Sequence, residues 1–498
     1  MSLDYSVPGI TLKDAQVEAI NFAYRQANAV ISLQTGLGKT LTACVLTREL
    51  FKTYPELLAI YLVPQKAIKA FKKELTRVGL PHSVWTSDKK ENKRGSRVLI
   101  LTHTALSKYK EDLVKIAASH RCMMVVDEVH NFANPNSKLF KELASIRKFF
   151  PLFYTMTATI VRNDLNALYW ILSLTRPGCL GTLWQYQARY LNMKQSSIRI
   201  RGGARRTIHE AVGVKDPDGL KQIMDSVVIF RQQEYKVEYH TIDVELEEDI
   251  WQRYREAGLG KLRESAADNW AVRLVDMQYV VDNVSPAYTP LEMTDKEKKF
   301  LALVKKLFET GNIPIVYCFY LETMNRLKFL LEKYRMSIGV SQVYIINGTV
   351  PYKDRFAIED RIKPNTVTII NKAGTESINL QKANCMIYYD IAWSIDEHLQ
   401  SLGRITRTDT KFDKQHVFFI EYAGTIDNYR SLRIRNNVAI VESVQGKQNV
   451  ADGGDIITPR EMKNLQSVLL WCFRQNKPLT KEQVIQVARG ELTKEDFQ

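Results

Sequence analysis

Short apolar runs alternate with helix-like spacing along the first third of the chain. Ala29–Leu33, Leu58–Val63, Val98–Leu101, Met123–Val126 and Phe153–Thr157 are apolar almost throughout, not alternating. Runs of this kind suit strands buried on both faces, so residues 15–174 predict a parallel sheet wrapped by helices. A second series begins near Thr294, with strands expected at Ile313–Phe319, Val343–Ile346, Thr366–Ile370, Met386–Tyr389 and Val417–Glu421. The stretch between, about 180–293, is less regular and contains helix-like segments such as Glu248–Leu259. Residues 445–457 carry Gly446, Gly453 and Gly454 among polar residues and predict a linker. Beyond it, Thr458-Pro459-Arg460-Glu461 and Thr480-Lys481-Glu482-Gln483 both offer helix-capping residues, which predicts a two-helix tail. The expected fold class is α/β: two parallel-sheet lobes with a largely helical insertion and a small helical tail. The expected boundaries are 1–185 for the first lobe, 186–293 for a basic insertion and inter-lobe connection, 294–444 for the second lobe and 458–498 for the tail.

A chain of 498 residues is long enough for about three domains. Hydrophobic residues make up 45% and charged residues 25%, which excludes a disordered or fibrous chain. Lys and Arg total 70 against 55 Asp and Glu, leaving +15, and this excess points to a polyanion such as nucleic acid or to an anionic membrane surface. The six cysteines are scattered with no CxxC pair, a spacing that fits neither a zinc site nor a disulfide framework. The first residues lack a secretory pattern, and no window reaches the ~20 apolar residues of a membrane helix, so a soluble, intracellular (cytoplasmic) chain is expected.

Candidate chemistry sits at the ends of the predicted strands. Thr35-Gly36-Leu37-Gly38-Lys39-Thr40 follows Ala29–Leu33 and opens a helical pattern. Such a loop turns backbone amides toward phosphates at a helix N-terminus, with Lys39 on the β and γ phosphates and the Thr40 hydroxyl on Mg²⁺. The strict pattern would place Gly where this chain has Leu33. Asp127 and Glu128 end the strand Met123–Val126; one carboxylate there can hold Mg²⁺ through its waters, and the other can activate water. Asp127 is assigned to the metal and Glu128 to the water, which makes ATP and Mg²⁺ the expected cofactors. Thr157-Ala158-Thr159 could link the nucleotide site to a bound strand. In the second half, Gln400 opens a segment holding Arg404 and Arg407, three apart on one side of a helix and able to stabilise a γ-phosphate. The loop from Gly374 to Leu380, including Asn379, precedes the strand Met386–Tyr389.

In its order, this set resembles the superfamily-2 helicases and translocases, in which two RecA-like lobes sandwich ATP, and most of all the SWI/SNF-type DNA translocases. The likeness covers roughly residues 10–435. It is carried further by Leu62-Val63-Pro64 (motif Ia), by Ile100–Leu106 with Thr102 and His103 (motif Ib), and by His130-Asn131-Phe132-Ala133-Asn134. Pro177-Gly178, Asp390 with Trp393, and Gly424-Thr425-Ile426 complete it. Val129, Ala158, Ile160 and Ser377 depart from the usual residues. The resemblance implies that Gln16 reads adenine, that Gly374 and Gln400 belong to the nucleotide site, and that Lys66, Lys69, Thr102, His103, Asn379 and Trp393 contact nucleic acid.

The charge supports a nucleic-acid track. Pro64–Arg97 holds ten basic residues against three acids, +7 in 34 residues, and Arg189–Arg206, with Arg199 and Arg201, holds six with no acid. Phosphate contacts give sequence-independent affinity, which suits a motor. The expected function is ATP-driven translocation of a monomeric motor on double-stranded or branched DNA, with RNA less favoured, no membrane, and a protein partner for the tail. A fork-unwinding or branch-migrating helicase, and an ATP-gated clamp or protein remodeller, are the alternatives.

Overall fold

The computed structural model describes residues 3–34, 36–91, 95–158, 160, 165–199, 205–231, 236–267, 269–283, 292–373, 378–406, 410–444 and 459–498. The chain divides into two compact units, the first chiefly Met1–Lys194 with Gly213–Gln233, the second chiefly Glu234–Ala439 with Gly453–Gln498.

The first unit is built on β1 (Asn28–Leu33), β2 (Leu58–Val63), β3 (His82–Trp85), β4 (Lys90–Glu91), β5 (Val98–Thr102), β6 (Cys122–Val126) and β7 (Leu152–Thr157). A separate two-stranded sheet follows, β8 (Leu191–Arg199) with β9 (Arg205–Val214), and then β10 (Val228–Arg231). The main sheet has the order β10-β1-β7-β6-β2-β5-β3-β4, parallel except for the β3–β4 pair. The five expected strands are all present, within a residue or two of their predicted bounds. β6 and β7 are buried along their whole length, as continuous apolar runs between two helical layers require. Arg147 ties the lower edge together: its guanidinium donates to the carbonyls of Phe150 (2.8 Å), Leu174 (2.7 Å) and Thr175 (2.8 Å) and to Asn28 Oδ1 (2.6 Å).

The second unit holds β11 (Lys236–Val244), β12 (Pro314–Tyr317), β13 (Gln342–Ile346), β14 (Thr366–Ile370), β15 (Cys385–Tyr388) and β16 (Lys414–Tyr422). Their order is β11-β16-β15-β12-β14-β13, with every pair parallel. The run Ile313–Phe319 is strand only over Pro314–Tyr317. Beyond it the amides of Phe319 and Tyr320 leave the ladder and donate to the buried Asp390 carboxylate, at 2.5 and 3.4 Å. Both sheets are parallel apart from the β3–β4 pair, as the α/β reading expected.

Among its described residues, the stretch expected as a largely helical insertion holds the α-helices Leu183–Tyr190, Pro217–Val227, Glu248–Gly258 and Trp270–Asp282. It also supplies an edge strand to each main sheet, β10 and β11. The tail helices Pro459–Gln475 and Lys481–Arg489 are part of the second unit's core. Leu465, Val468, Phe473, Val484 and Val487 are buried with Trp251, Tyr254 and Tyr429. Trp251 Nε1 donates to Asn476 Oδ1 (3.1 Å) and Arg255 Nε to the Phe473 carbonyl (2.6 Å). A Cβ on Gly258 would lie 2.0 Å from the Phe473 ring, so the helix approaches that ring only through a residue without a side chain.

Candidate nucleotide and nucleic-acid site

The C-terminal ends of β1, β7 and β6 lie side by side, because β7 pairs with both neighbours in parallel. Ligands of doubly wound sheets bind at such ends, and here they carry the glycine loop, Thr157 and Asp127 respectively. The loop leaves β1 through Gly36 (φ 94°) and Gly38 (φ 77°), both left-handed, before the helix Lys39–Thr53 starts. Gly38 is doubly constrained, since a Cβ there would also lie 2.4 Å from Gln16 Nε2. The helix so begun buries Leu41, Val45, Leu46 and Leu50.

Lys39 Nζ donates to the carbonyl of Leu33 at 2.9 Å. Leu33 itself is fully buried as the last residue of β1, so the position where a glycine was expected serves the strand core. Gln16 is buried against the loop. Its Oε1 accepts from the Lys13 amide (2.9 Å) and its Nε2 donates to the Gly38 carbonyl (3.3 Å). The helix Asp14–Arg25 therefore holds the phosphate loop through Gln16.

Asp127 is 8% exposed, and its carboxyl is pushed up to about 7, first by burial and then by the neighbouring Glu128 charge, while Lys39 opposes the shift. Glu128 has φ 49° and ψ 50°, left-handed for a residue with a Cβ, so the chain turns sharply directly after Asp127. His130 Nδ1 lies 3.2 Å from Glu128 Oε2 and 3.2 Å from Thr157 Oγ1. One imidazole thus joins the acidic motif to the end of β7. Sequence reading assigned no role to His130; its signal was its place directly after Asp-Glu-Val.

His103 and Thr102, expected on the strand-binding surface, lie inside. Thr102 has no exposure, and His103 Nε2 donates to the backbone carbonyl of Asp127 at 3.0 Å. Burial pushes the His103 imidazole down to about 4, so it is neutral near pH 7 and packs edge-on against Phe132. His103 thus supports the acidic turn, while the Thr102 hydroxyl lies 3.3 Å from Thr104 Oγ1. Among the described residues of this region, Lys66, Lys69, Lys72 and Lys73, on and beside the helix Ile68–Arg77, are exposed, as are Lys89 and Lys90, while Phe71 and Leu75 of that helix are buried. Some members of the basic stretch are engaged within the unit: Arg77 pairs with Glu74 (2.7 Å), Lys90 with Asp112 (2.9 Å), and Arg97 donates to the Leu57 and Tyr54 carbonyls.

In the second unit Arg404 follows the helix Ile395–Leu402, and its Nη1 donates to the Ile378 carbonyl (3.4 Å), while the Leu380 amide donates to the Arg404 carbonyl (3.0 Å). Gln400 is exposed on that helix. Asn379 is held by its amide to Glu359 Oε1 (2.7 Å) and by its Oδ1 to the Gln381 amide (3.3 Å). Trp393, expected against nucleic acid, is instead packed inward: its indole donates to Gln278, and the Arg430 guanidinium lies 4.7 Å over its ring. Thr35, Gly374, Arg201 and Arg407 lie outside the described residues, as does the side chain of Arg199.

The family model for the res subunit of type III restriction enzymes matches residues 9–162, and that for the helicase conserved C-terminal domain matches residues 296–409. The uncharacterized ATP-dependent helicase YqhH of Bacillus subtilis is 22% identical over 484 residues, covering 93% of this chain and 84% of the relative. The CHD3-type chromatin-remodeling factor CHR7 of Arabidopsis thaliana is 24% identical over 477 residues, covering 88% of this chain but 38% of that protein. The SWI2/SNF2 ATPase core of Sulfolobus solfataricus in complex with dsDNA is 16% identical, covers 90% of this chain and 96% of its own, and superposes with a TM-score of 0.40. Among the described residues, no helix is long and apolar enough to cross a membrane.

Proposed function

We propose, for a chain that belongs to superfamily 2 and within it to the SWI/SNF-type DNA-dependent ATPases, that ATP hydrolysis drives it along double-stranded DNA. The observation that carries this reading is the convergence of Lys39, Asp127, Glu128 and Thr157 at the ends of three neighbouring parallel strands. When Mg·ATP is bound, Mg²⁺ neutralises charge on the phosphates, and this chain's residues orient it. The amides of Gly36–Thr40 and the Lys39 ammonium hold phosphate oxygens, Thr40 and Asp127 hold the metal and its waters, and Glu128 takes the proton of the attacking water. Gln16 has its amide committed to Lys13 and Gly38, so its contribution to adenine recognition runs through the position of the loop. Arg404 and Arg407 are the basic residues that this reading assigns to phosphoryl transfer. The exposed lysines of the helix Ile68–Arg77 follow the backbone of the tracked strand.

The test is steady-state ATP turnover against duplex DNA, single-stranded DNA and RNA, each over a series of lengths. Translocation on duplex predicts a rate that rises with duplex length to a plateau and displacement of a triplex strand without unwinding of a fork. A rate indifferent to duplex length would overturn translocation in favour of a clamp, and efficient fork unwinding would favour a helicase. Lys39→Ala and Glu128→Gln should abolish turnover and leave DNA binding intact.

A further inference from the structure

β11 and β16 form one edge of the second unit's sheet, with Glu238 directly opposite His416. His240, two residues on from Glu238, stands on the same face of β11 as Glu238. His240 Nε2 is 3.3 Å from His416 Nδ1, and His416 Nδ1 is 3.5 Å from Glu238 Oε2. Donor atoms of all three residues lie within 4.8 Å of one another. Zinc bonds to imidazole nitrogen at about 2.0–2.1 Å, so the edge of its coordination tetrahedron is about 3.3–3.4 Å. The two recorded separations are close to that edge.

The two oxygens of Glu238 divide their work. Oε1 accepts from Lys414 (3.1 Å) and Lys236 (3.4 Å), while Oε2 faces the histidines. The lysines therefore fix the carboxylate as a one-oxygen ligand and leave the second oxygen to the histidines. His240 is braced by stacking on Phe418, with centroids 4.7 Å apart.

We propose that Glu238, His240 and His416 form a binding site for a divalent transition-metal ion, zinc in the first place, that pins the edge strand β11 to β16. Two imidazoles and one carboxylate suit a borderline ion better than Mg²⁺ or Ca²⁺, which take oxygen ligands. Three protein ligands leave a fourth position for water. The ion is a clamp on the strand by which the chain enters the second sheet and takes no part in ATP chemistry.

The experiment titrates ZnCl₂ into the full-length, metal-stripped and reduced protein by calorimetry, in the presence of excess Mg²⁺. One saturable equivalent is expected, and His240→Gln and His416→Gln should each weaken it by at least about tenfold, the lower bound for loss of a metal site's supporting residues. Zinc should also slow amide exchange across Lys236–Val244 in the parent protein and leave it unchanged in both variants. Co²⁺ in place of zinc should give the intense visible absorption of a tetrahedral site. Absence of saturable binding, or equal binding by the parent and both histidine variants, overturns the proposal.

Discussion

Asp127→Asn should stabilise the nucleotide-free protein at the expense of catalysis. The parent carboxyl titrates at about 7 in the folded chain against 3.8 when unfolded, mainly because burial disfavours its charge. Below pH 4 both states are protonated, and the residue contributes no electrostatic difference. Between about 4 and 7 the unfolded state gives up the proton first, so stability falls as pH rises through this window and stays low above it. At 1.36 kcal/mol for each step of one in pKa, the ceiling of that loss is about 4 kcal/mol. Asparagine has the same shape and no charge to bury, so it removes the slope. Urea unfolding followed by amide exchange in β2 and β6 should show the variant more stable by up to about 4 kcal/mol at pH 8, with the gain shrinking toward zero at pH 4. Equal stability at pH 8, or a gain that grows as pH falls, would refute the reasoning. The same electrostatics predicts that Mg·ATP binding releases protons near pH 7, because a nearby cation favours the ionised carboxylate, and buffer-dependent binding heats would show it.

Gly38→Ala combines a left-handed backbone, worth about 1–2 kcal/mol against an L side chain, with a collision at Gln16. It should lose nucleotide binding while the second unit's melting is unchanged. Lys69→Ala and Lys73→Ala should each weaken duplex binding on any sequence and lower the slope of log affinity against log salt by about 1, since each phosphate contact contributes about 0.9. No change in that slope would remove the helix Ile68–Arg77 from the track. Gly258→Ala should push the Phe473 ring out of its seat and destabilise the second unit by about 1–3 kcal/mol, the usual cost of overpacking, measurable by urea unfolding with ATP affinity unaltered.

Much of the fold was legible because parallel strands buried on both faces announce themselves as continuous apolar runs; Leu58–Val63 and Thr366–Ile370 agree with the structure end to end. β10 escaped because four residues, Val-Ile-Phe-Arg, carry no periodicity, and their strand exists only through the neighbour β1. β11 does alternate, Val237 and Tyr239 against Glu238 and His240, as a half-exposed edge strand does, and that pattern could have revealed it. In the site, residue types with one chemical use were readable: Lys39 after two glycines, and Asp127-Glu128 after an apolar strand. Burial was not. His103 and Trp393 look like contact residues in sequence, yet a carbonyl of Asp127 and the side chain of Gln278 claim them, and neither partner lies near in sequence. The inward packing of the tail was equally hidden, because Gly258 and Phe473 meet across more than 200 positions.

That packing sets an order on vectorial synthesis. The first unit's main sheet is complete once β10, ending at Arg231, has left the ribosome. The second unit begins its sheet with β11 immediately afterwards, yet its core waits for Phe473, Val484 and Val487. The nascent chain therefore passes through a long interval with one finished lobe and one lobe whose apolar seat around Trp251 and Tyr254 is open. Such an interval is when an unfilled hydrophobic surface invites aggregation. A ribosome stalled before residue 459 should hold a chaperone-dependent second lobe beside a folded first one.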